Sequence, residues 1–465
     1  MLDIEGMPDR PREKPLDWGW MAEQFDRFVM NPANGVLFTD SKGNLVFTAF
    51  LEDQDSRGMQ HELFAFGPIV LGKILRGDDV TALLPSLAAY FNEEAGIFVN
   101  RPGQNRIELW YLMQANALAA HIIRRQLMND LAFVERWRRS ANRLREVAQR
   151  LGYDFDHQGY DFSTEGPWTE KELYKQPDVI GAYAYLMLLA YETFREEEYL
   201  GEARVALEKY LAFPQNPWYE ITSGAMAAIA AARLRSMGFE TNLQRALEFT
   251  LDPHANLIIG QWGGREVNGL CRGWRFSKPE SAYSMESLVI LPYILPIPRY
   301  DTRYARVIGK YALNVAANAR LFYSGYTGEE SRADLSPVVA YERLFHSYKG
   351  RSPYAAGDFY GHKSIYGGAY ALWWGAIVKP TNDDFILQLD LTKTDFLEKA
   401  AYPAFLYYNP WPKERVVRLE VDQGLCDLYN LSTHEAIHEH VNDVAEIVLP
   451  PKGTRVVTVM PSSGA

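Results

Sequence analysis

At 465 residues, with 59 acidic against 48 basic side chains and a net charge of −11, the chain lacks the concentrated positive surface that a nucleic-acid partner requires. Its two cysteines, Cys271 and Cys426, lie far apart in sequence and supply neither a disulfide framework nor a ligand set. No apolar run reaches about 18 residues and MLDIEGMPDRPREKPLDW has no apolar signal-like core, so a cytoplasmic protein without a membrane partner is expected.

After a polar lead, Trp18–Met30 reads as an amphipathic helix with Met21, Phe25 and Phe28 on one side. The next stretch, NGVLFTDSKGNLVFTAFLED, carries two β-rich runs around Asp40-Ser41-Lys42-Gly43-Asn44, the chemistry of a hairpin turn. Helical sequence follows, and it alternates between two kinds. Segments apolar or small on every side, Glu62–Arg76, Ile107–Met128, Asp178–Arg195, Thr222–Arg235, Ser281–Leu295 and Gly367–Val378, predict helices buried all round. Between them run charge-faced segments with a single apolar stripe: Val80–Asn92, Leu131–Leu151, Tyr199–Phe213, Leu243–Leu251 and Arg303–Phe322. With Trp18–Met30 these make six outer helices to sheath six inner ones.

Loop length follows the same alternation. Inner-to-outer connections are short, such as Gly77-Asp78-Asp79, whereas most outer-to-inner ones are long and rich in Trp, Tyr, His and Arg. Loops longer than about 12 to 15 residues in a compact domain usually carry function. All six long loops would leave a ring of helices at one end, and that end is the expected site.

The alternation, the loop asymmetry and pieces such as NPWYEITSGAMAAIAAARL and SAYSMESLVILPYIL resemble the six-hairpin glycosidases over roughly Trp18 to Val378. The resemblance implies a mainly α fold, an (α/α)6 toroid with its substrate groove at the mouth built by the long loops. After Pro380 the runs FILQLDL, AFLYYNP, RVVRLEV, AEIVLP and TRVVTVM read as strands. The expected organisation is a catalytic toroid over residues 1–380, with an N-terminal β-hairpin insertion, and a small antiparallel β-sandwich over 381–465.

His434-Glu435-Ala436-Ile437-His438 matches the HExxH pattern of zinc proteases, but it lies between strand-like runs and no third ligand follows. No metal and no cofactor is therefore expected. Glycoside hydrolysis needs two carboxyl groups, one to protonate the leaving oxygen and one to activate water or attack. Glu220 and Glu286 each stand near the start of successive inner helices; Glu286, on the more apolar segment, suits the acid and Glu220 the base. Tyr283, three residues before Glu286, would share a helix face with it. Asp161 and Glu342 are rival catalytic acids in neighbouring loops.

Aromatic rings able to pack on sugar faces are Trp168, Trp218, Tyr219, Trp262, Trp274 and Tyr283. Arg265, Arg272, His157 and His362 can bind hydroxyls or a carboxylate, which admits a uronic-acid-containing oligosaccharide. The same groups leave two alternatives open, a polysaccharide lyase with a Tyr or His base and an Arg neutraliser, and a non-catalytic glycan-binding protein.

Overall fold

Helices apolar on every side need neighbours on every side, and six of them meet that need by closing on one another. The computed structural model describes residues 2–49, 61–277, 281–323, 363–421 and 424–462, with the backbone of the short strands Val339–Ala340, Arg343–Phe345 and Tyr354–Ala355. The inner helices are α2 (Leu63–Arg76), α3 (Leu109–Ile122), α5 (Val179–Phe194), α7 (Thr222–Ser236), α9 (Ser284–Ile294) and α11 (Ile365–Ile377). Each packs on the next, and α11 packs back on α2, which completes an (α/α)6 toroid. At that closing seam the backbones come very close: a Cβ on Gly72 would stand 2.3 Å from Leu372 Cβ.

The outer layer is α1 (Trp18–Met30), α4 (Leu131–Arg150), α6 (Glu197–Leu211), α8 (Leu243–Thr250) and α10 (Ala305–Asn318). Each turns one stripe inward. In α1 that stripe is Trp18, Met21, Phe25 and Val29, all buried, and each such side chain contributes roughly 1.5 to 3 kcal/mol by leaving water. It lies on α11, where the Trp18 and Trp374 rings stand 4.7 Å apart and a Cβ on Gly375 would meet Ala22 Cβ at 2.4 Å.

The sixth outer element differs from the expectation. Val80–Asn92 forms a 3-10 turn over Leu84–Tyr90 and then a strand, Phe91–Asn92, paired with Ile97–Phe98. Pro85 starts the tighter turn, and the Asn92 side chain accepts the amides of Glu94 and Ala95, fixing a hairpin where a helix would have continued. The predicted N-terminal hairpin forms between Leu37–Thr39 and Leu45–Phe47, with Asp40 accepting the amides of Lys42 and Asn44.

The far end of the ring is plugged from the C-terminal region. Phe396 stacks on the buried His121 at 3.9 Å, and the buried Asp395 accepts the Tyr300 hydroxyl at 2.6 Å and pairs with Arg299. Beyond lies a six-stranded antiparallel sheet in the order Val378–Pro380, Leu387–Asp390, Ala404–Tyr408, Thr454–Pro461, Cys426–Asn430 and Glu435–Val441. It packs against α10, where a Cβ on Gly309 would stand 2.7 Å from Tyr408 Cβ. A second, smaller core forms around Val417, Leu419, Ile447 and Leu449 of the antiparallel strand pair Arg415–Glu420 and Val444–Leu449. Among the described residues no helix is long and apolar enough to cross a membrane.

Candidate functional site

The residues before each inner helix tie neighbouring loops together around the ring. The amide of Leu63 donates to Asn100 O at 2.9 Å. Strand Arg106–Glu108 pairs with Gly159–Asp161, and the Trp110 amide donates to Gln176 Oε1 at 2.7 Å. Glu220 bridges Trp274, strand Ser281–Tyr283 pairs with Arg343–Phe345, and the Ile365 amide returns to Ala49 O at 3.0 Å. The long loops therefore share one end of the toroid.

An acid stands at or beside the start of five of the six inner helices: Glu62, Glu108, Asp178, Glu220 and Glu286. Carboxylates are favourable at helix N-termini, yet Glu62, Glu108 and Asp178 do not cap their own helices. They reach sideways. Glu62 accepts Asn100 Nδ2 at 2.7 Å and Glu108 accepts Gln158 Nε2 at 3.0 Å. Asp178 Oδ2 accepts the Glu220 amide at 3.2 Å, so each acid fastens its own loop to the next.

Asp178 is 1% exposed, and its Oδ1 is buried without a hydrogen-bond partner among the described residues. Burial pushes its carboxyl up to about 7, against the opposing pull of the Tyr219 and Glu220 amides and of Arg275. The Tyr219 phenol is raised by burial and then by Glu220, Glu108 and Asp178, three carboxylates around one hydroxyl. Trp274 lies beside it, with ring centroids 5.9 Å from Tyr219 and 5.8 Å from Tyr174.

A single segment, Cys271–Arg275, joins this cluster to the second acid. Cys271 bridges Tyr283, and the Tyr283 amide donates to Cys271 O at 2.8 Å. Three residues later Trp274 bridges Glu220, and the Arg275 amide donates to Tyr219 O at 2.8 Å. Three residues of extended chain span at most roughly 10 Å. Between the bridges, Gly273 presses on the Tyr283 ring, where a Cβ would stand 2.5 Å away. Glu286, in the first turn of α9, is 4% exposed; its charge raises the Cys271 thiol and the phenol of Tyr370 on α11, both already raised by burial. Tyr283 itself is not on the helix, contrary to expectation. It is extended, with φ −112° and ψ 135°, and α9 begins one residue later.

Other predicted site residues are held in separate local structures. Asp161 accepts the Ser163 amide at 2.8 Å and so fixes the turn between strands Gly159–Asp161 and Gly166–Trp168. Trp168 closes that sheet, with the Arg106 guanidinium 4.1 Å over its ring. The His157 carbonyl accepts the Gln176 amide at 3.1 Å. Trp262 and Arg265 face each other in a small hairpin whose Glu266 accepts the Arg12 amide at 2.6 Å. Trp218 is 7% exposed behind Tyr219, its amide on Asn216 Oδ1; the Arg272 amide donates to Asn256 O at 2.9 Å. Glu342 and His362 lie outside the described residues.

No protein-family model matches the chain, and no curated protein matches it. Among solved structures it is similar to a family 76 glycoside hydrolase (mannosidase) from Bacteroides thetaiotaomicron, at 11% identity and TM-score 0.49, covering 77% of this chain and 97% of that one. It is similar to the cellobiose 2-epimerase of Spirochaeta thermophila at 12% identity and TM-score 0.49, covering 77% and 95%. An α-1,6-mannanase variant from Salegentibacter sp., in complex with α-1,6-mannotriose, follows at 14% identity and TM-score 0.46, covering 77% and 98%. The toroid assignment rests on the closed ring of helices itself.

Asp178, Glu62 and Glu108 are the residues that sequence reasoning passed over. The signal was present, an acid immediately before the first residue of an inner helix, but it reads equally as a capping residue until the direction of the side chain is known.

The HExxH pentad lies on and beside the strand Glu435–Val441, with His438 Nε2 2.7 Å from Glu446 O. His434 stands in the turn before the strand, with φ 60°, while His438 lies on the strand, so the two do not share the helix face that the motif needs.

Proposed function

We propose that the chain is a carbohydrate-active enzyme that hydrolyses a glycosidic bond at the loop end of the toroid. The observation that carries this reading is the Cys271–Arg275 segment, bridged at one end to Tyr283, three residues before Glu286, and at the other to Glu220. It ties the Glu220 loop to the strand that leads into the first turn of α9, so the two acids stand on adjoining segments at one end of the toroid. Glu286, the more deeply buried, gives its proton to the leaving oxygen. Glu220 takes a proton from the attacking water. Asp178 touches no substrate; it is a positioning residue that holds the Glu220 backbone through its amide. Trp274, half-buried beside Tyr219, supplies a ring face for the sugar.

Glu220 and Glu108, both beside Tyr219, favour an uncharged oligosaccharide over a uronate. The test is reducing-sugar release against unsaturated-product absorbance on neutral glycans, α-1,6-mannan among them, and on uronate glycans. Release without unsaturated product is expected, and Glu286→Gln and Glu220→Gln should each lower turnover by about 10² to 10⁴ while the fold stays intact. Full activity in both variants would refute the assignment.

A further inference from the structure

The loops that build the candidate site also build a concavity beside it. A cleft of about 430 Å³ opens between the 152–156 and 213–217 segments, above the C-terminal end of α6. Its volume falls within the range of small-molecule sites, roughly 300 to 1,000 Å³. Phe155, Ile180 and Pro217 form a buried apolar floor, and Tyr153, Phe213 and Pro177 form the walls. The rim carries Asp154 and Asp156 against Lys209 and Arg275, so its charges balance.

Three chain segments run from this cleft straight into the site. Pro217 lines the cleft and Tyr219–Glu220 follow; Pro177 and Ile180 line it with Asp178 between them; Arg275 lines it one residue after Trp274. We infer that the cleft is an accessory subsite for an uncharged sugar unit of the same glycan, remote from the bond that is cleaved. Ring and proline walls meet the C–H faces of a pyranose, and a rim of both charge signs takes hydroxyls without selecting an ion. The inference rests on the proposed glycan-directed function and adds that the substrate is a chain of several units.

Calorimetry of the Glu286→Gln protein with mannooligosaccharides of two to six units, and with an oligogalacturonate ladder, tests it. Affinity for the mannose ladder should rise by about tenfold as the chain grows long enough to reach the cleft. Phe213→Ala, which removes a wall, and Gln215→Trp, which fills the rim, should each reduce that rise to within about twofold, with circular dichroism matching the parent. A rise that survives both variants, or one seen with the galacturonate ladder alone, overturns the subsite and leaves the hydrolase reading standing. Binding of neither ladder overturns both.

Discussion

Asp178→Asn separates a residue kept for its charge from one kept for its shape. In the folded chain the Asp178 carboxyl sits near 7, against 3.8 for an ordinary aspartate. The folded state therefore holds a proton that the unfolded state has released between those two values. Stability from this group is fully present below about pH 4 and is lost as pH rises through 7, a total of about 4 kcal/mol. Between pH 5 and pH 8 the loss is about 3 kcal/mol. Asparagine keeps an oxygen for the Glu220 amide and does not titrate. In urea unfolding, the variant's stability minus that of the parent should thus grow by about 3 kcal/mol from pH 5 to pH 8. This double difference cancels any constant effect of the amide group. If the gap between the two proteins is the same at both pH values, the buried carboxyl does not titrate as described and the reasoning fails.

Two further outcomes are expected. Gly273→Ala sets a methyl group into the Tyr283 ring and should lower stability by about 1 to 3 kcal/mol, read as a shifted urea midpoint; an unchanged midpoint would mean that the segment is free to move aside. Purified protein incubated with zinc and desalted should carry far less than one ion per chain by elemental analysis, with chelator leaving activity unchanged, since His434 stands in a turn and His438 on the following strand and the two share no helix face.

The ring was legible in the sequence because its cause is compositional. A segment such as Thr222–Ser236, small or apolar on every face, has no stable place except inside a second layer. Helix ends were less legible. Ser281–Tyr283 has the same apolar character as α9, and what makes it a strand is a partner sixty or more residues away, Arg343–Phe345. Leu84–Tyr90 was misread because its apolar spacing fits a helix, while Asn92 and Pro85 decide otherwise. In the site, Glu220 and Trp274 could each be singled out by type, but their pairing is a backbone bridge that no side-chain pattern records. Asp178 shows the converse case, where position was evident and orientation was not.

The packing of α1 on α11 sets a clock on biosynthesis. The first helix ends at Met30 and its partner ends at Ile377, so nearly three-quarters of the chain must be translated between them. At about 5 to 20 residues per second, Met21, Phe25 and Val29 wait on the order of 20 to 70 s for the surface that will cover them. A somewhat shorter interval separates α2, which ends at Arg76, from the helix that closes the circle. A nascent chain of this kind emerges as an open arc with two sticky ends, and a holding chaperone that shields the first of them should raise the yield of folded protein more than one that acts after release.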